Sequence, residues 1–150
     1  MLERYKRKRD FTKTEEPKPG SKVSDKDNLI FVIQEHHARN LHYDLRLEIA
    51  GVLKSWAVPK EPPTEAGIKR LAIGTEDHPM SYADFEGSIP EGEYGAGEVR
   101  IWDKGKFAPE KITDKEILFR MDGNKMKGEF VLIKTRFGKG NGWLFFKKKD

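Results

Sequence analysis

Between Leu41 and Ile49 the apolar side chains fall on every second residue: Leu41, Tyr43, Leu45, Leu47 and Ile49. That period commits the segment to a strand, because successive strand side chains point to opposite faces. The same alternation gathers His42, Asp44, Arg46 and Glu48 on the other face. Ala50-Gly51 reads as a tight turn into a second strand, Val52–Val58, which carries Trp56. Further strands are predicted at Leu29–Gln34, Leu71–Gly74, Glu98–Asp103, Ile117–Met121, Phe130–Thr135 and Trp143–Lys147. Gly, Pro, Asn and Asp punctuate the gaps, as in Asp122-Gly123-Asn124 and Gly140-Asn141-Gly142. No stretch shows a long helical period; a short helix fits near Pro109–Glu116. Many short strands at this spacing define a mainly β class, with a closed or nearly closed antiparallel barrel or sandwich as the architecture.

The 150 residues suit one domain with a real core. Residues 1–28 are different in kind from the rest. Nine basic and six acidic residues fall within 1–27, with only scattered apolar ones. This is expected to be a basic, extended N-terminal arm and not a packed unit, serving as a strap for a phosphate backbone or as a plain tail. The single β domain is then 29–150. A formal net charge of +4 permits a nucleic-acid partner without requiring one. The absence of cysteine excludes disulfides, thiolate metal sites and a cysteine nucleophile. No apolar run approaches the ~20 residues of a membrane span, and the N-terminus lacks a secretory signal, so a soluble, cytoplasmic protein is expected.

The strand with the polar face carries the chemistry. By the rise per residue, His42 and Asp44 lie about 6–7 Å apart along it, and both can reach one ion between them. His36 sits just upstream, where a loop or a preceding strand could fold it over the same point. Two imidazoles and a carboxylate leave metal positions open for water and substrate. They suit manganese, zinc, iron, cobalt or nickel better than magnesium. Arg46, one step along the same face, could fork onto a phosphate held there. The plainer alternative is a solvent-facing polar row with Asp44 paired to Arg46. A second cluster, Glu76-Asp77-His78-Pro79-Met80-Ser81-Tyr82, places His78 and Tyr82 in a turn restrained by Pro79, and all four histidines of the chain fall in these two clusters. The glycine-rich run Gly87–Gly97 lacks the glycine order and the Lys-Ser/Thr of nucleotide loops, and is read as structural turns. No G-x-S-x-G elbow is present.

These residues form a familiar series. His36, His42, Asp44 and Arg46 stand as His-x5-His-x-Asp-x-Arg. They are followed by Leu53-Lys54-Ser55-Trp56-Ala57-Val58-Pro59-Lys60 and by Glu76-Asp77-His78-Pro79-x-x-Tyr82. The run Tyr82-Ala83-Asp84-Phe85-Glu86-Gly87-x-Ile89-Pro90-Glu91-Gly92-Glu93-Tyr94-Gly95 completes it. The series resembles the 3′-phosphoesterase domain of DNA ligase D, from the arm to the closing Trp143–Asp150. The resemblance implies a compact β-barrel with little helix. It also implies manganese-dependent removal of a 3′-terminal ribonucleoside and then of the 3′-phosphate, leaving a 3′-hydroxyl in DNA end joining; zinc or cobalt could replace manganese.

By motif position, His36, His42 and Asp44 would be metal ligands, and Arg46, His78 and Tyr82 would hold and activate the phosphate. Gln34, Lys60, Arg70 and Glu76 would be supporting residues for substrate. Cations of the arm and of Lys147–Lys149 would grip a primer-template or an RNA/DNA 3′ end. The family domain is usually fused to polymerase and ligase modules, so separate polymerase and ligase chains are expected as partners here. His37 is a rival to His36, and the family pattern favours His36. A non-catalytic nucleic-acid-binding barrel and a metal phosphodiesterase acting on RNA 2′,3′-cyclic ends are the competing functions.

Overall fold

The computed structural model describes residues 2–17 and 28–149. Its nine strands are β1 (Ile30–His37), β2 (Leu41–Ile49), β3 (Val52–Val58), β4 (Lys69–Gly74), β5 (Gly87–Ile89), β6 (Gly97–Ile112), β7 (Glu116–Asp122), β8 (Lys127–Lys134) and β9 (Gly142–Lys147). They lie antiparallel in the order β1-β2-β3-β4-β9-β8-β7-β6-β5, and an additional β1–β6 pairing closes eight of them into a barrel. β6 makes the closure because it is 16 residues long. Its first part pairs with β1 and its second with β7, while short β5 lines its outer start. A short helix, α1 (Glu3–Arg7), and a 3₁₀ turn at Met80–Asp84 are the helical elements among the described residues. None of the described helices is long and apolar enough to cross a membrane.

The strands read from the sequence at 41–49 and 52–58 have those bounds. The helix expected near Pro109–Glu116 is a correction. There β6 continues to Ile112, and β7 begins at Glu116 after a turn closed by Thr113 N–H on the Glu116 carbonyl (2.8 Å). Pro109 is accommodated by a register shift between Pro109 and Lys111, where a residue without an N–H does least harm to the ladder. The run 87–97, read as turns, contains β5 as well.

The interior follows from the alternation. Phe31, Ile33, Leu45, Leu47, Trp56, Phe107, Phe119, Phe130 and Phe145 fill the barrel, all buried. A second apolar cluster lies outside the wall: Val32 and Leu53 from the strands, Met80, Tyr82, Ala83 and Phe85 from the 3₁₀ segment, and Tyr5 from α1. This cluster is why β2 is buried on both faces from Tyr43 to Glu48 and does not present its polar row to solvent. It also changes the reading of the arm over residues 2–17. Tyr5 is fully buried and its hydroxyl donates to the Pro17 carbonyl, so this part of the arm is laid against the barrel. Residues 18–27 of the arm lie outside the described residues.

Phe119 sits within about 6 Å of the rings of Phe107, Phe130 and Phe145, which makes it the hub of the barrel core. Phe119→Ala is expected to cost about 3–5 kcal/mol. Urea denaturation would show it as a lower midpoint with an unchanged slope.

Candidate active site

Strand register assembles the site. Antiparallel pairing of β1 with β2 sets His36 directly opposite His42 and Gln34 opposite Asp44. Pairing of β2 with β3 sets Ser55 opposite Arg46. These side chains project outward from the barrel and are covered by α1, the rest of the docked arm and the loop carrying His78. The bridge between Leu53 and His78 fixes that loop, with hydrogen bonds of 2.7 and 2.9 Å. The resulting pocket of about 290 Å³ is lined by His36, His42, Asp44, Arg46, Glu76, His78 and Tyr82, and also by Arg9, Tyr94 and Gly95.

At one end, one ligand atom from each of His36, His42 and Asp44 lies within 4.8 Å of the others. Asp44 Oδ2 is 3.4 Å from His36 Nδ1, and Oδ1 is 3.2 Å from His42 Nε2. The opposite ring nitrogens face backbone carbonyls, His36 Nε2 on Gly95 at 2.7 Å and His42 Nδ1 on Asn40 at 3.1 Å. A carbonyl can only accept, so in the neutral rings those nitrogens carry the protons and the inward nitrogens carry lone pairs. Lone pairs facing carboxylate oxygens at this distance repel unless a cation lies among them. The donor set therefore fits a divalent ion taking nitrogen and oxygen ligands.

Without such an ion, a proton is the next choice. Burial lowers the His42 pKa, but the hydrogen bond and charge of Asp44 outweigh it, for a net rise. Burial would raise that of Asp44, yet the Arg46 charge and the two histidines hold its carboxyl well below the usual range. His37, the sequence rival, is exposed and bonded to Glu35. Gly95 has φ +76°, a left-handed conformation suited to glycine, and this aims its carbonyl at His36.

The other end is cationic. Arg46 is 4% exposed. Its Nε donates to Gln34 Oε1 (2.6 Å) and its Nη1 to Ser55 Oγ (2.9 Å), while Nη2 lies 3.5 Å from Asp44. Gln34 in turn donates to the carbonyls of Tyr82 and Phe85, and so ties β1 to the 3₁₀ turn. Gln34 thus stands behind the pocket and positions Arg46.

From the arm, Arg9 donates to Glu16 (2.8 Å) and Glu76 (3.2 Å), and its Nη2 lies 3.3 Å from His78 Nε2. Arginine can only donate, so Nε2 accepts from Arg9, while Nδ1 lies between the Glu76 carbonyl at 3.0 Å and Arg46 Nη1 at 3.2 Å. Burial, then Arg46 and Arg9, lower the His78 pKa well below its ordinary value and hold the ring neutral. The Tyr82 hydroxyl donates to Glu16 (2.7 Å), and burial pushes its pKa well above 10, so it stays a phenol.

Two residues expected to support substrate lie elsewhere. Lys60 and Arg70 line a separate depression with Pro59, Lys69 and Leu71, and Arg70 Nε donates to the Glu61 carbonyl. Sequence reasoning missed Arg9, Glu16 and Ser55. Tyr5 and Phe11 were the available signal for the first two, since two aromatics within a charged run mark an anchored segment.

The fold and this pocket define a β-barrel with a His/His/Asp group able to hold a metal beside buried guanidinium groups. Comparison with known proteins narrows this further. Residues 34–134 match the family described as DNA Ligase D 3′-phosphoesterase domain, and the chain belongs to that family. It is 50% identical over 153 residues to the multifunctional non-homologous end joining DNA repair protein LigD of Mycobacterium tuberculosis, covering 99% of this chain and 20% of that protein. Against LigD of Pseudomonas aeruginosa it is 47% identical over 156 residues, covering 99% of this chain and 19% of the relative. The chain thus spans about a fifth of the length of these curated relatives.

The neutral His78 has a consequence for stability. An unfolded chain binds this proton as pH falls below 6.5, the folded chain does so only well below that, and stability is therefore lost on acidification below 6.5. The loss is at most about 1.4 kcal/mol per pH unit. Urea midpoints of the metal-free protein between about pH 7.5 and pH 5.5 are expected to fall further for the native chain than for His78→Gln. Equal falls would remove His78 as the cause.

Proposed function

We propose that the chain is a metal-dependent 3′-end-healing phosphoesterase that removes a 3′-terminal ribonucleoside and a 3′-phosphate from a primer-template, leaving a 3′-hydroxyl. The observation that carries this reading is the joining, in one pocket, of the His/His/Asp group with two buried arginines, Arg46 and Arg9. Membership of the 3′-phosphoesterase family supports it, as do the relatives' names, which assign them to non-homologous end joining.

His36, His42 and Asp44 would hold the metal, with manganese first and zinc or cobalt as alternatives. A divalent ion there supplies Lewis acidity toward phosphorus and a more acidic bound water. The remaining work falls to the chain's own groups. Arg46 Nη2, the least committed nitrogen of that guanidinium, turns toward a phosphate oxygen and stabilises charge building on it. Arg9 flanks the phosphate from the arm side. Tyr82 supplies a ring under Arg46, 4.8 Å from its carbon, and a hydroxyl fixed by Glu16. Burial first, and then two guanidinium groups that push its proton away, keep His78 neutral. An anionic phosphate bound between those groups offsets the push, so the ring gains proton affinity when substrate arrives and can then serve the leaving oxygen. Exposed cations of the arm and C-terminal residues would hold the primer-template. A healed 3′-hydroxyl is what a polymerase extends and a ligase seals, which makes those two activities the proposed partners.

The test is denaturing-gel analysis of a 5′-labelled primer-template ending in one ribonucleotide or in a 3′-phosphate, with and without manganese. Conversion to a 3′-hydroxyl end is expected only with metal, and His42→Ala should slow it by more than about 100-fold while circular dichroism shows an intact barrel. Turnover of an RNA 2′,3′-cyclic end with no action on the DNA ends, or no conversion with any divalent metal, would overturn the assignment.

A further inference from the structure

The most exposed large apolar side chain among the described residues lies on the hairpin joining β8 to β9: Phe137 is 71% exposed. Its position is built. The Phe137 N–H donates to Thr135 Oγ1 at 3.0 Å, and its carbonyl accepts the Gly142 N–H at 3.2 Å, so the backbone is held on both sides of the ring. A Cβ on residue 142 would come within 2.7 Å of that carbonyl, which makes glycine a condition of the closure. Arg136 and Lys139 are exposed on either side of the ring. From Phe130 to Lys149 the chain carries six cations and no acidic residue. The hairpin is also attached to the pocket. The Asn141 carbonyl accepts the Gly74 N–H at 2.7 Å, and Thr75 and Glu76, next along the chain, line the pocket wall.

We propose that this hairpin is a nucleic-acid contact, in which Phe137 stacks on a base of the strand whose end occupies the pocket while Arg136 and Lys139 hold adjoining phosphates. The inference rests on the 3′-end activity proposed above. A ring flanked by cations of one sign is the grip that suits an unstacked base and its phosphodiester chain, whatever the sequence. The two charged side chains that flank the ring, Arg136 and Lys139, are both positive. The hairpin touches no group of the pocket that would act on phosphate, so its effect falls on binding and not on turnover.

Fluorescence anisotropy of a labelled 3′-phosphate primer-template, with the full chain and a salt titration, tests this. Phe137→Ala is expected to raise Kd by about 5- to 100-fold, and Phe137→Trp to restore most of the affinity. Replacing Arg136 and Lys139 together by alanine should reduce the slope of log K against log salt by about two. Turnover at saturating DNA is expected to stay native-like in all three, and thermal melts should match because the side chains are exposed. Native Kd and salt slope in every variant, with the native protein still healing ends, would overturn this inference alone and turn the hairpin over to a protein partner. Failure of the native protein to heal any 3′ end would instead remove the reading on which it rests.

Discussion

A positive charge is carried into the barrel's outer wall by Arg46 and almost sealed from water there, and the surrounding structure is arranged around that charge. A buried guanidinium is tolerated only if its donors are taken and a negative group is near. Gln34, Ser55 and Asp44 meet those requirements from three adjacent strands, so satisfying one cation fixes the register of β1, β2 and β3. The same cation keeps Asp44 ionised despite its burial. An ionised Asp44 is in turn what makes the two histidines beside it a donor set for a metal. The His/His/Asp group and the Arg46 guanidinium are therefore one electrostatic unit, held together by the Arg46–Asp44 contact.

Arg9 repeats the arrangement from the other side. Its side chain is 5% exposed, it is paired with Glu16 and Glu76, and it lies 3.9 Å from the centre of the Tyr5 ring. His78 sits between the two guanidinium groups and is edge-packed against Tyr5 and Tyr82. The barrel supplies one cation and the docked arm the other. The imidazole between them has its proton affinity lowered by burial first and then by both. Undocking residues 2–17 would uncover Tyr82 and His78 together, so the polar half of the pocket depends on an apolar contact made by Tyr5.

Much of this was legible in the sequence wherever a local period carried it. The alternation over 41–49 gave the strand, its inward apolar row and its outward polar row, because period two follows from backbone geometry alone. Register separates His36 from His37: in β1 only one of two neighbours can face the same way as Asp44, and pairing with His42 places His36 there. What the sequence hid has no local signature. Arg9 and His78 are 69 positions apart, and only the docking of the arm brings them together. A run so rich in charge reads as solvated until the burial of Tyr5 is seen. Pro109 looked like a helix start because a proline at a first helical position and one in a bulged strand leave the same local trace. Lys60 and Arg70 fall on a depression apart from the pocket, where the Arg70 side chain donates to the Glu61 carbonyl.

The barrel interior and the site occupy opposite faces of the same strands, and this division explains how one short sheet can serve both. Inward positions of β1 and β2 carry Phe31, Ile33, Leu45 and Leu47, which close-pack and fix the strands without any polar group. Outward positions are thereby freed from building a core and can carry His36, His42, Asp44 and Arg46 at cross-strand spacing. An open face of that composition would hydrate, and each ion pair on it would weaken to the level of a surface contact. The covering layer of Tyr5, Met80, Tyr82 and Phe85 prevents this at the arginine end, while His42 remains partly open to solvent. The pocket is consequently closed to solvent around Arg46 and partly open around His42.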